Sequence, residues 1–324
     1  MWFKGRANNN TTGRDERMMR AAETLQDRSA LARSRDTLFH ETPFEILERV
    51  TLGIAWALKK NGVRSLAPYW RRWLSECFVP QRALPDPERP FDGDARVGLV
   101  HDFSVPTLVA AYQRGLVLAG HVGTLAWTSP PQRCVLFLDE FHMAKRLRRL
   151  MRQDRYTVTF DRDFEGVIKA CAGRRQGRWH ITWITPRIMR AFAALLDEGY
   201  VHSFEVWNAA GALVGGGYGV ALGRIFFTES QFSHEDNTSK LGFSVLNWHL
   251  ARWGYVLNDG KNPTPTILEM GFRSIPRTEF LRALAENTSS GGKAGRWQVE
   301  ADPKTVADWQ PGVAGRGGEG ICGK

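Results

Sequence analysis

Apolar residues recur along this chain at two periods, and the switches between them mark its elements. Ile46, Leu47, Val50, Ile54, Ala57 and Leu58 fall at helical spacing behind Thr42-Pro43-Phe44-Glu45, which has the form of a capping box with proline in the first turn. Asn61-Gly62 predicts the end of that helix, and Tyr69, Trp70, Trp73 and Leu74 predict a second, shorter one. The proline-rich polar run from Pro80 to Asp94 reads as a linker. Val105 to Leu116 is helical, Cys134 to Leu138 is a short apolar strand, and Phe141 to Arg155 is one very basic helix. Thr157 to Phe160 alternates as a strand, and Phe164 to Ala172 returns to helical spacing. Thr185-Pro186 opens a helix with Ile188, Met189, Phe192, Leu195 and Leu196 on its buried face and Gly199 at its stop. Val201 to Trp207, Leu213 to Val220 and Arg224 to Phe227 read as consecutive strands, followed by a helix over Leu241 to Trp253 and a strand over Tyr255 to Asp259.

This succession predicts an α+β layout. Four units are expected: a helical extension with its linker over residues 1–93, a small N-terminal domain carrying the basic helix over 94–155, a larger domain over 156–286, and a flexible, glycine-rich tail over 287–324.

Charge changes the picture next. Among 324 residues, Lys and Arg outnumber Asp and Glu by 44 to 34, a formal net charge of +10, which favours an acidic partner with nucleic acid first. Lys145, Arg146, Arg148, Arg149, Arg152 and Arg155 crowd into about three helical turns, with no acidic residue among them before Asp154. That run fits contact with phosphates, although a solvated basic face has the same composition. Cys77, Cys134, Cys171 and Cys322 show neither metal spacing nor a disulfide framework, as suits a reducing compartment. The N-terminus MWFKGRANNN lacks the apolar core of a secretory signal, and no apolar run is long enough to span a bilayer, so a cytoplasmic protein with no membrane partner is expected. The histidines are dispersed. No P-loop, His-Glu-x-x-His, Cys-x-x-Cys or coenzyme A pyrophosphate loop is present, so neither a metal nor a cofactor is expected.

The stretch from Leu213 to Leu281 carries the most specific pattern. A glycine-rich hairpin ends in Phe226-Phe227-Thr228-Glu229-Ser230. An Asn237-x-Ser239-Lys240 helix start follows, then a strand ending in Asp259, then Gly271-Phe272-Arg273-Ser274-Ile275-Pro276-Arg277. Together with Ala111-Tyr112-Gln113-Arg114-Gly115, this order resembles the leucyl/phenylalanyl-tRNA–protein transferases. The resemblance implies an acetyltransferase-like (GNAT-like) C-terminal domain. It implies an aminoacyltransferase that moves an amino acid from a charged tRNA to the N-terminal amine of a protein beginning with Arg or Lys, in the N-degron route to degradation. It also implies that Lys145, Arg146, Arg148, Arg149 and Arg152 bind tRNA, and that Glu229 helps hold the terminal adenosine. A monomer is expected.

Three departures from the family pattern bear on function. The aminoacyl side-chain pocket aligns with Gly217, Gln231, Phe243, Leu246, Leu250 and Asn258, two of them polar and one without a side chain, which suits leucine less well. The family's Phe-Pro-Trp segment, whose tryptophan stacks on the terminal adenine, is replaced by Leu116-Val117-Leu118-Ala119-Gly120, leaving Trp127 or Trp183 to compensate. Asp-Cys-Gln becomes Asp259-Gly260-Lys261. Asp259 and Lys261 are the catalytic candidates, with Asp259 placing the attacking amine and Lys261 its partner, if the alternation of the strand brings the two together. Asp-Gly is equally a common turn. Two other functions are compatible with the sequence: a transferase for another amino acid or a small-molecule amine, and a non-catalytic tRNA-binding relative.

Overall fold

The computed structural model describes residues 34–78, 83–91, 95–120, 125–174, 182–289 and 291–312; side chains are described within these apart from 56–69 and 77–78. The N-terminal third is dominated by α1 (Pro43–Phe78), a single helix of 36 residues. Its start is the expected capping box: the Thr42 backbone N–H donates to Glu45 Oε2 at 2.7 Å and the Glu45 N–H to Thr42 Oγ1 at 3.3 Å. The expected stop at Asn61-Gly62 does not occur. One glycine inside a helix costs about 1 kcal/mol, which the surrounding turns outweigh. The extension is fastened to the body by Arg35, which pairs with Glu165 and Asp197, and by Glu76, which contacts His101.

Two sheets follow. The smaller is antiparallel, ordered β1 (Arg96–Leu99), β3 (Ala126–Thr128), β2 (Val117–Ala119). The larger has seven strands in the order β10 (Arg273–Pro276), β4 (Gln132–Phe137), β9 (Leu257–Lys261), β8 (Ile225–Ser233), β7 (Leu213–Leu222), β6 (Val201–Asn208), β5 (Tyr156–Phe160). Its pairings are antiparallel except β8 with β9. A parallel neighbour needs a crossover, supplied here by α6 (Thr238–Arg252). The fold is therefore α+β with a mixed sheet.

Residue 155, where a boundary is expected from the sequence, lies between the basic helix and β5. β4 lies inside the seven-stranded sheet, α3 (Lys145–Met151) packs on α6 through Leu147 and Met151, and Val97, Val117 and Trp127 of the three-stranded sheet share a core with Phe192 and Tyr218. The basic helix is also shorter than Phe141 to Arg155. On one face of the large sheet lie α2 (Val105–Gln113), α4 (Phe164–Ala172) and α5 (Pro186–Asp197), with a core of Leu108, Tyr112, Phe164, Phe192 and Tyr218. On the other lie α3 and α6 over Phe204, Phe226 and Phe243. Glycine lets α6 close onto β7: a Cβ on Gly215 would lie 2.5 Å from Thr238 Oγ1, which instead donates to the Val214 carbonyl.

Of the expected flexible tail over 287–324, residues 290 and 313–324 lie outside the described residues. α7 (Arg277–Asn287) continues the fold, and the described chain beyond it, to residue 312, is a strap across the α6 face. Trp297 is 1% exposed and stacks on His202 at 3.6 Å, while its backbone N–H donates to Asp161. Glu300 N–H donates to His249 Nε2, and Trp309 stacks on Phe141. Glycine and charge are abundant in this segment, but a few aromatic anchors outweigh them. Trp297→Ala should therefore cost about 3–5 kcal/mol in urea unfolding. A loss below about 1 kcal/mol, the range of an exposed substitution, would mean the strap is not part of the core.

Candidate active site

The parallel pairing of β8 and β9 runs Ile225↔Leu257, Phe226↔Asn258, Phe227↔Asp259 and then stops. Beyond that point the strands part, and a cavity of about 640 Å³ opens between them. Thr228, Glu229, Ser230 and Gln231 line one wall and Gly260 and Lys261 the other. Leu118, Ile184, Ile267 and Phe272 supply an apolar side.

Lys261 spans the gap. Its φ of +65° is the left-handed region, which costs a non-glycine residue about 1–2 kcal/mol. In that conformation its N–H donates to Asp259 Oδ1 at 2.8 Å and its side chain turns towards β8. Nζ donates to the Thr228 carbonyl at 2.9 Å. The same Nζ lies 2.6 Å from Glu229 Oε2, an ion-pair contact without hydrogen-bond alignment. The Glu229 side chain is 1% exposed, and its other oxygen accepts from the Tyr112 hydroxyl at 2.6 Å. Burial, reinforced by the Glu229 carboxylate, holds the Tyr112 phenol well above its ordinary range, so it remains a donor.

Asp259 is placed differently from the expectation. Both its oxygens are taken by Arg133, at 2.9 Å from Nε and 2.6 Å from Nη2, and both residues are fully buried. Arg133 also donates to the Gly115 carbonyl, and its guanidinium lies 4.5 Å from the Phe280 ring centre. The expected Asp259–Lys261 side-chain pair is thus corrected: Asp259 pairs with Arg133, and Lys261 with Glu229. Asp259 is fully buried, and its Oδ1 accepts from the Lys261 N–H as well as from Arg133, which ties the turn at Lys261 to the buried pair. Cys134 lies next to this pair, where burial and then Asp259 push its thiol up to about 11.

Two residues of this constellation, Arg133 and Tyr112, had no role in the sequence reading. The signal for Arg133 is a guanidinium at the start of an otherwise apolar strand, where burial demands a carboxylate partner.

The expected side-chain pocket is only partly assembled. Gln231 lines the cavity, and Gly217 makes room for it, because a Cβ there would lie 2.7 Å from Gln231 Cγ. Phe243, Leu246 and Leu250 are buried in the core under the sheet and do not line the cavity. Asn258 is buried too, accepting from Thr228 Oγ1 and donating to Asn247 Oδ1, so its amide is satisfied within the protein. Of the two candidate stacking tryptophans, Trp127 is core and Trp183 lines the cavity.

On α3, Lys145, Arg146 and Arg149 are exposed. Arg148 donates to the Ala307 and Trp309 carbonyls, and Arg152 pairs with Asp308, so these two hold the C-terminal strap. The basic cluster is thereby divided between two arginines that hold the strap and three exposed cations without an acidic partner among the described residues.

A family model for leucyl/phenylalanyl-tRNA protein transferase matches residues 135–285, which include β5 to β10 and the second half of β4, with Glu229, Asp259 and Lys261 inside the match and Tyr112 and Arg133 before it. A leucyl/phenylalanyl-tRNA–protein transferase of Azotobacter vinelandii is 47% identical over 205 residues, which cover 63% of this chain and 87% of that protein. The chain belongs to this transferase family. Proteins of the same name from Pseudomonas fluorescens and Pseudomonas syringae are 46% and 43% identical, over 82% and 85% of their lengths and 57% and 64% of this chain. A solved structure, that of L-PGS from Bacillus licheniformis, is matched with a TM-score of 0.30 and 13% identity over 51% of this chain and 52% of that one, and carries no weight for fold or activity. Among the described residues no helix is long and apolar enough to cross a membrane.

Proposed function

We propose that this protein transfers leucine or phenylalanine from its charged tRNA to the N-terminal amine of a protein that begins with Arg or Lys, in the cytoplasm and as a monomer. The observation that carries the reading is the cavity where β8 and β9 part, with Lys261 across it, in a chain of this transferase family. The single parallel pair in a mixed sheet supports the acetyltransferase-like assignment of the fold.

The aminoacyl ester is already activated. The amine nitrogen attacks its carbonyl carbon, the C–N bond forms, the C–O bond to the ribose breaks, and a proton passes from the amine to the departing ribose oxygen. The protein's task is to hold amine and ester together. The Lys261 ammonium supplies a fixed positive charge for the oxyanion that develops on the carbonyl. Glu229, oriented by Tyr112, holds that ammonium in place and faces the terminal ribose. Leu118, Ile267 and Phe272 offer an apolar wall to a leucyl or phenylalanyl side chain. Gln231, which lines the same cavity, supports a second reading, a donor with a polar side chain. Comparing transfer from Leu-, Phe- and Gln-tRNA to a peptide starting with arginine separates the two. Preference for the first two is expected, and preference for Gln-tRNA would sink the apolar assignment.

The basic helix yields its own expectation. Lys145, Arg146 and Arg149 meet phosphates, so Arg149→Glu should weaken tRNA binding and lower the salt slope by about 1. Arg148→Glu should act chiefly through the strap, lowering the unfolding midpoint. Equal loss of tRNA affinity in both variants without loss of stability would contradict this division of labour.

A further inference from the structure

A second cavity, of about 750 Å³, adjoins the first: Gly120, Thr182 and Trp183 line both. Its outer wall comes from α1, outside the residues that the family model matches. Trp70 and Trp73 lie on that wall, 53% and 37% exposed, with their rings edge to face at 5.7 Å. Opposite them, Arg187 is exposed and holds its guanidinium 4.1 Å from the Phe103 ring centre. Among the described residues Arg187 has no carboxylate contact, whereas Arg49 in the same cavity is held by Glu41 at 3.1 and 3.0 Å. The lining acid Glu41 is therefore neutralised, and Arg187 stands beside exposed aromatic rings with no acidic partner among the described residues. The first turn of α5, from Pro186, opens on the same space and adds the positive end of its dipole.

Exposed aromatic rings with unpaired arginine are what single-stranded nucleic acid binds: bases stack on the rings, and phosphates meet the cation. We propose that this groove receives the unpaired nucleotides preceding the terminal adenosine of the donor tRNA, a base against Trp73 and a phosphate against Arg187. The inference rests on the donor assignment above. The other candidate occupant, an acceptor peptide starting with Arg or Lys, is opposed by charge, because Arg187 repels it and Glu41 is already taken. The groove's continuity with the transfer cavity at Trp183 lets one strand run from α1 to the ester.

The test is binding of short oligoribonucleotides to the full chain, read by quenching of tryptophan fluorescence. The probes are adenosine monophosphate, cytidylyl-adenosine, and the trinucleotide with a second cytidine. In the unmodified protein, each step beyond the mononucleotide should tighten binding by roughly ten-fold. In Trp73→Ala, and separately in Arg187→Glu, that gain should fall to about two-fold or less, while adenosine monophosphate binds as before. Both side chains are exposed, so neither change threatens folding. A full gain in both variants overturns the proposal. So does a peptide beginning with arginine that loses affinity in Trp73→Ala while the oligonucleotides do not. Mononucleotide binding without any gain overturns the groove alone. Failure of the unmodified protein to bind any of the probes overturns the donor assignment, and the groove with it.

Discussion

Replacing Arg133 with methionine is expected to lower stability by about 3–5 kcal/mol and to abolish transfer. The cause is the Asp259 carboxylate, fully buried, with its two strongest hydrogen bonds removed and no water to replace them. Urea unfolding measures the loss. Adding Asp259→Leu to Arg133→Met should recover most of it, because two apolar side chains in a buried site are often as stable as an ion pair. Transfer should not recover with stability. Asp259 Oδ1 also accepts from the Lys261 N–H, and without that bond the left-handed turn that aims Lys261 loses its anchor. A double variant that regained both stability and transfer would show that the pair is only structural.

Lys261→Met is expected to slow transfer by about 10²–10³ in kcat, the effect of removing one preorganised oxyanion donor. The KM for charged tRNA should move little, since the phosphates and terminal nucleotides are held elsewhere. Lys261→Gln, which restores the residue the family carries, keeps a donor in place and should fall between Lys261→Met and the unmodified protein. Both variants remove the cation opposite the buried Glu229 carboxylate, so a stability loss of about 1–3 kcal/mol should accompany them, the larger in Lys261→Met. A change confined to KM, with kcat intact, would place Lys261 in ground-state binding and leave the oxyanion without its proposed partner.

Much of the architecture was legible in the sequence because period and punctuation agreed. The capping box at Thr42, Thr185-Pro186 before α5, and Gly199 after it each stand where the structure has an element end. The family pattern placed Glu229, Asp259 and Lys261 on the two strand ends that form the cavity. What the sequence hid was long-range partnership. Asp259 and Lys261 are two residues apart, and alternation suggests a pair, but a positive φ turns the lysine away and an arginine 126 residues distant takes the carboxylate. Asn61-Gly62 signals a stop only if nothing outweighs about 1 kcal/mol. The tail's glycines and charges mask Trp297 and Trp309, whose burial depends on a groove that a local pattern cannot display. Phe243, Leu246 and Leu250 lie on one helix that is buried on most sides, its polar Ser244, Asn247 and His249 included, so the pattern did not tell cavity from core.

The central claim is that the parted ends of β8 and β9 form an aminoacyl-transfer site with Lys261 across it. Its most direct test is single-turnover transfer of radiolabel from a pool of all charged tRNAs to a peptide with N-terminal arginine, using the unmodified chain and Lys261→Met in parallel. The account predicts label on the peptide with the unmodified chain, and a rate about 10²-fold or more lower with Lys261→Met at equal tRNA occupancy. Tight tRNA binding by the unmodified chain with no label transferred to the peptide, or equal rates in the two proteins, would contradict it.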